Sequence, residues 1–143
     1  MYKNFIKISF FFILILTITS CSGGNSKQEL IDRAGAPLLS GLGDHSHEIT
    51  SNEKGVQEYF NQGLILAFAF NHAESVRSFK AAQTLDPSCA MCYWGEALAR
   101  GPNINVTSNG KAVMSDEQRV KAFEALGKAK DLMAHSTSQE QAY

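Results

Sequence analysis

Proline is scarce in this chain, at three in 143 residues, so long stretches are free of the residue that breaks helices. Charge of one sign is missing too. Lys and Arg number 13 against 14 Asp and Glu, for a formal net charge of −1, and no basic excess marks a nucleic-acid partner. No alternating run of useful length argues for a strand, except Asn103 to Thr107, which falls in a loop. Catalytic sets are absent: there is no Ser-His-Asp arrangement with supporting context and no Gly-rich phosphate loop, since Gly23-Gly24 has no strand before it. Carboxylate pairs such as Asp116-Glu117 belong to a helix start. The chain is therefore not read as an enzyme, and no cofactor is expected. What is present is an apolar content of 44%, ordinary for a globular chain and too high for general disorder. The length allows one domain at most.

The first 20 residues read as a targeting segment. Lys3 and Lys7 precede an almost purely apolar run, Ile8 to Ile18. That run is short of the roughly 20 residues a permanent membrane helix needs, but it suits a signal-peptide core. Ile18-Thr19-Ser20-Cys21 resembles a bacterial lipobox, in which small residues precede the cysteine that is diacylated before cleavage. The resemblance implies lipid attachment at Cys21, and each buried acyl CH₂ adds about 0.8 kcal/mol of membrane affinity. Ser22, rather than Asp, follows the cysteine, which in enteric-type lipoproteins implies the outer membrane. An uncleaved anchor with an incidental Cys21 is the plainer reading. Ser22 to Gln28 is polar and Gly/Ser-rich and reads as a flexible tether. Residues 21–49 as a whole are expected to be irregular, with one short helical turn near Leu30.

From residue 50 the pattern becomes helical. Thr50-Ser51-Asn52-Glu53 is a capping-box pattern. Behind it Val56, Tyr59, Phe60, Gly63, Leu66, Ala67 and Phe70 recur at three and four, one face of a helix. Asn71 is a candidate cap for a second helix carrying Ala73, Val76, Phe79 and Ala82, stopped at Asp86-Pro87. A third runs from about Cys89 to Arg100, before Gly101-Pro102-Asn103, and a fourth from Ser115 to about Met133. Thr137 to Glu140 is a further capping pattern.

Paired helices call for a periodicity test. A shift of 34 places Tyr59-Phe60 on Tyr93-Trp94, Gly63 on Ala97 and Leu64 on Leu98. Ala122, Leu126 and Ala129 match Ser75, Phe79 and Ala82 at a shift of 47, so about 13 extra residues, Gly101 to Met114, separate the third and fourth helices. Small residues let two antiparallel helices approach, and aromatic rings fill the space between them. With Tyr59, Gly63, Ser75, Phe79, Ala82 and Pro87 at these spacings, residues 52–135 resemble a tetratricopeptide-repeat protein. The chain departs from that pattern at Gln62 and Glu96, where Leu is usual, and at Arg100. The segments FNQGLILAFAFNHAES, LDPSC, YWGEA and GPNIN further resemble a family of exported bacterial repeat proteins. The resemblance implies an all-α fold of stacked antiparallel helical hairpins, an α-solenoid, over residues 50–143, truncated in its third unit. A plain helical bundle with coincidental spacing is the alternative.

Few residues carry chemistry. Cys89 and Cys92 form a CxxC at a helix start, where a thiolate is stabilised. Packed thiols, a disulfide and a redox or metal dithiol all remain open, but the thioredoxin-type strand–helix context is absent. His45, His47 and His72 are zinc- or copper-type donors, yet nothing in their spacing brings them together, and no metal is assigned. Gly101, Pro102, Asn103, Ile104 and Asn105 form the candidate binding loop, because an unusual loop within a repeat tends to carry binding. A tolerated surface insertion is the competing reading. Trp94 is expected in the core.

The leading functional expectation is a membrane-anchored scaffold that binds a protein or peptide in the bacterial envelope. Its groove would be lined by exposed Gln57, Asn61, Gln62 and Glu96, a polar lining suited to a polar or extended ligand. The alternatives are a metal- or thiol-dependent envelope module using Cys89 and Cys92 with histidines, and a passive envelope component.

Overall fold

A computed structural model describes residues 26–143. The apolar run Ile8 to Ile18 and Cys21 lie outside the described residues, and so does the lipobox expectation. The chain is helical: α1 (Ser26–Ala34), α2 (Val56–Phe68), α3 (His72–Leu85), α4 (Ala90–Arg100) and α5 (Asp116–Leu132), with 3-10 turns at Met133–His135 and Glu140–Ala142. A two-stranded hairpin, β1 (Asn103–Ser108) and β2 (Lys111–Val113), separates α4 from α5. Among the described residues no helix is long and apolar enough to cross a membrane.

Several boundaries differ from the sequence expectation, each for a local reason. The tether is shorter than expected, because Ser26, Lys27 and Gln28 already belong to α1, whose Leu30 and Ala34 are buried. Helix α2 begins at Val56 rather than near residue 52. Thr50 and Ser51 do not cap it: their hydroxyls donate to Glu140 and Asp86, and Ser51 Oγ accepts from Glu53 N–H, ahead of the helix. The cap is Gly55, at φ 91°. Glycine is required there twice over: its backbone is left-handed, and an ideal Cβ would lie 2.3 Å from Leu30 Cδ1.

The end of α2 is closed by Asn71 N–H donating to Leu66 O at 2.8 Å and Phe70 N–H to Ala67 O at 3.0 Å. That is a Schellman pair with Phe70 in the left-handed position, φ 60°. Asn71 makes no side-chain cap bond to α3. By contrast α5 starts as expected, with the Ser115 hydroxyl accepting from Gln118 N. The expected loop from Gly101 to Met114 is the hairpin, turned by Asn109 (φ 51°) and Gly110 (φ 72°). Two consecutive positive φ values are what a tight right-twisting hairpin turn demands.

Helices α2 to α5 run antiparallel to one another in succession. Ser75 Oγ donates to Gly63 O and Gln62 Nε2 to Ser78 Oγ across α2 and α3. Gln83 Nε2 donates to Glu96 across α3 and α4, and Arg100 to Gln118 across α4 and α5. Helix α2 also touches α4, and α1 touches α3. The core centres on Phe79, which is fully buried. An added Cβ would come within 2.8 Å of its ring at Gly63 and 2.3 Å at Gly95, so the ring fills a gap that only two glycines leave open. Phe60 meets it edge-on at 5.4 Å.

Gly95, not the Ala97 that a shift of 34 selects, is thus the small residue of α4. Leu98 and Leu126 likewise depart from their matches: they are 44% and 48% exposed, whereas Leu64 and Phe79 are buried. Trp94 is half-buried, against the core on one side and Tyr143 on the other.

Candidate functional site

Two faces of the helical stack carry unusual chemistry. The first is α2, on the side where residues 36–51 cross it. Gln62 Oε1 accepts from Leu39 N–H at 2.8 Å, and its Nε2 donates to Pro37 O at 3.0 Å. Gln57 does the same to residues ten positions further along: Oε1 accepts from Ile49 N–H at 3.1 Å, and Nε2 donates to His47 O at 2.8 Å. Asn61 Oδ1 accepts from His47 N–H at 3.1 Å, and the buried Tyr59 hydroxyl donates to Ala36 O. Gln57, Asn61 and Gln62 do share this face of α2, but residues 36–51 of the chain itself cover it. Gln62 is 6% exposed. The lead-in read as irregular tether is fastened backbone atom by backbone atom.

The end of this segment is pinned by two carboxylates from distant parts of the chain. Glu140 accepts from Thr50 N–H at 2.7 Å and Thr50 Oγ1 at 2.5 Å, and also from Thr137 N–H and Oγ1 at 2.8 Å. Asp86 accepts from Ser51 Oγ at 2.6 Å and from Ser88 N–H and Oγ. Burial alone would push both carboxyls up, but the convergent hydrogen bonds outweigh it and hold both below their ordinary values. Burial also raises the Tyr59 hydroxyl.

Glu96, the fourth expected groove residue, is elsewhere and is not exposed: it is 7% accessible. Its carboxylate meets the Arg100 guanidinium at 2.8 Å and Gln83 Nε2 at 2.8 Å, and Arg100 reaches Gln118 at 2.7 Å. The departures from the repeat pattern thus have two local uses. Gln62 serves the covering segment, and Glu96 with Arg100 forms a polar tie between α3, α4 and α5.

Cys89 and Cys92 are joined as a disulfide at the start of α4, while Cys89 Sγ also accepts from Cys92 N–H at 3.1 Å. The three histidines are not brought together. His45 lies by Phe68 and His47 by Phe60 and Tyr143. His72 Nδ1 contacts Ala99 O at 3.0 Å; a carbonyl only accepts, so Nδ1 carries the proton. Among the described residues no cluster of three or more His, Cys, Asp or Glu is placed to hold a metal.

Nor do Gly101 to Asn105 converge. Asn103 accepts from its own loop at Asn105 N–H, 2.9 Å. Gly101 and Asn103 line a cavity of about 330 Å³ with His72, Arg100 and Gln118, whereas Pro102 turns to a separate hollow beside Leu98 and Phe123.

The second face was missed by sequence reasoning. Between α4 and α5 an apolar cleft of about 360 Å³ is lined by Met91, Trp94, Phe123, Leu126, Met133 and Tyr143. Phe123 is 78% exposed there, and Trp94 and Tyr143 stack obliquely at 5.0 Å. A signal existed: Phe123, Leu126 and Lys130 share one side of α5, but apolar residues at helical spacing read as core until the packing around them is known. Comparison with known proteins gives no match: no family model, no curated protein and no solved structure aligns with this chain.

Proposed function

We propose that the chain is a membrane-tethered helical-repeat scaffold of tetratricopeptide type, which binds a protein segment in the bacterial envelope. The antiparallel succession of α2 to α5 supports the repeat reading, as does Phe79 wedged between Gly63 and Gly95. One observation carries the binding reading. The apolar cleft of α4 and α5 exposes Phe123 and Leu126, and an adjoining hollow on the same two helices adds Leu98; contiguous apolar patches on a protein surface mark interaction sites.

Its occupant is an amphipathic helix. Helix α4 packs on α2 and α3, and a helix in the cleft would take the same place on α4 and α5. The first turn of such a packing is already present: Thr137 and Glu140 cap each other reciprocally, and the turn beyond them lays Tyr143 on Trp94.

A photo-crosslinking benzoylphenylalanine at position 123, in membranes carrying the full chain, tests this. The expected adduct maps to a helical segment of another polypeptide and is lost in Leu126→Asp. Absence of any polypeptide adduct would remove the cleft from the proposal, and adducts only between identical chains would replace the partner by self-association. For the tether, Cys21→Ser is expected to move the protein from the membrane to the soluble fraction; retention on the membrane would overturn the lipid anchor.

A further inference from the structure

Residues 46–51 lie on the helical stack as a bound peptide lies on its receptor. Their main chain is read by side chains. Asn61 takes Ser46 Oγ and His47 N–H, and Gln57 takes His47 O with Ile49 N–H. An amide that bonds the carbonyl of one residue and the N–H two residues on reads backbone as a neighbouring parallel strand does. Gln62 repeats this reading on Pro37 and Leu39, so it is a property of the α2 surface rather than an accident of one contact.

The side chains of the segment alternate in use. The His47 ring stands edge-on to Tyr143 at 5.7 Å and near Phe60 at 6.3 Å. Glu48 is exposed and touches none of these groups. Ile49 packs half-buried on the core. Thr50 and Ser51 each give a hydroxyl proton to a carboxylate, Glu140 and Asp86. These receptor groups come from α2, from the turn after α3 and from residues 140–143, and the segment touches all three. The segment is preceded by an exposed loop with Gly41 (φ 79°) and Gly43 (φ 94°), where an added Cβ would meet nothing within 4 Å.

We propose that Gln57, Phe60, Asn61, Asp86, Glu140 and Tyr143 form a peptide-binding site, self-occupied by residues 46–51. Its ligand in trans is an extended segment with a ring side chain, an aliphatic residue two positions on, and two consecutive hydroxyl residues after that. The main-chain reading supplies affinity and the ring and hydroxyl subsites supply selection, the division found where extended peptides add to a protein edge. Release of the internal segment opens the site, so the two occupants compete. The inference rests on the scaffold reading for its use, and on the α2 contacts alone for its geometry.

The probe is a fluorescein-labelled peptide of residues 44–52, Asp-His-Ser-His-Glu-Ile-Thr-Ser-Asn, added to two proteins. One is the full chain; the other has residues 44–51 replaced by alternating glycine and serine. Fluorescence anisotropy is expected to show saturable binding to the replaced chain and at least tenfold weaker binding to the intact one. N-methylation of the peptide at the residues matching His47 and Ile49 is expected to cost tenfold or more, as is Gln57→Ala with Asn61→Ala in the replaced chain. A replaced chain that is folded by circular dichroism and binds no peptide overturns the proposal, and so does binding indifferent to N-methylation.

Should the replaced chain fail to fold, Thr50→Val in the intact chain serves instead. It removes one clasp, so peptide affinity must rise, and an unchanged affinity sinks the idea. Phe123→Asp separates this site from the cleft: peptide binding is expected to stay within twofold, whatever becomes of partner capture.

Discussion

Helices α2 and α3 and helices α4 and α5 are two pairs of similar plan with opposite fates. In the first pair Phe79 is fully buried; its match in the second pair, Leu126, is 48% exposed. Nothing in the local pattern of α5 accounts for this, since Ala122, Leu126 and Ala129 recur at the same intervals as Ser75, Phe79 and Ala82. The difference lies in what packs against each residue. Phe79 has α2 on one side and α4 on the other, whereas Leu126 faces the cleft. An apolar position on a helix is thus core or surface according to the helix packed next to it.

This contrast can be broken by substitution, most sharply at the two equivalent residues. Phe79→Ala is expected to cost about 3–5 kcal/mol, the range for emptying a buried aromatic site. Leu126→Ala should cost under about 1 kcal/mol, because a half-exposed side chain gives up little burial. Chemical denaturation of both variants checks it, and equal losses would abolish the distinction between the pairs.

The glycines sharpen the same point. Gly95→Ala thrusts a methyl into the Phe79 ring and is expected to destabilise by about 1–3 kcal/mol. Gly127, in α5, has nothing within 4 Å of an ideal Cβ, so Gly127→Ala should stabilise by about 0.5–1 kcal/mol through helix propensity alone. Thermal melting that shows both changes with the same sign would contradict the packing.

Acid should loosen the clasp between the first pair and the end of the chain. Asp86 and Glu140 are held below their ordinary values, so the stability they contribute is full above the ordinary carboxylate range. It is lost as pH falls through their lowered folded-state values. Glu140→Gln is therefore expected to be less stable than the parent near neutrality and to converge with it in acid. A gap between the two that does not shrink on acidification would detach Glu140 from the stability of the clasp.

The smallest effect is at the turn of the first pair. Phe70 occupies the left-handed position that glycine fills without strain, and it is largely exposed. Phe70→Gly is thus expected to gain up to about 1 kcal/mol, measured by the shift in denaturation midpoint. A loss on this substitution would mean that the Phe70 ring does more in the folded chain than its exposure suggests.

Much of the helical frame is legible in the sequence. The helices of 56–100 and 116–132 follow from apolar residues at three and four, from Pro87 and from the Ser115 cap, all of which act within a few residues. The hairpin is not read from the sequence: Asn109-Gly110 is a turn signal, but the alternation beside it is too short and reads as a loop. The candidate site is legible only in part. Gln57, Asn61 and Gln62 stand out as polar positions on α2 suited to an extended ligand, yet the segment that reaches them begins eight or more residues upstream and is closed by Glu140, 90 positions from Thr50. Short-range pattern carries no information about contacts of that separation.

By itself, then, the sequence determined the helices from residue 56 onward and that Phe79 and Ala82 face inward, because such choices follow from local periodicity and side-chain volume. Only the tertiary structure decided that Gly95 rather than Ala97 meets Phe79, that the lead-in covers α2, and that the apolar side of α5 stays open. Those outcomes depend on which distant surfaces arrive to exclude water, and burial is a property of the assembled neighbours, not of the residue.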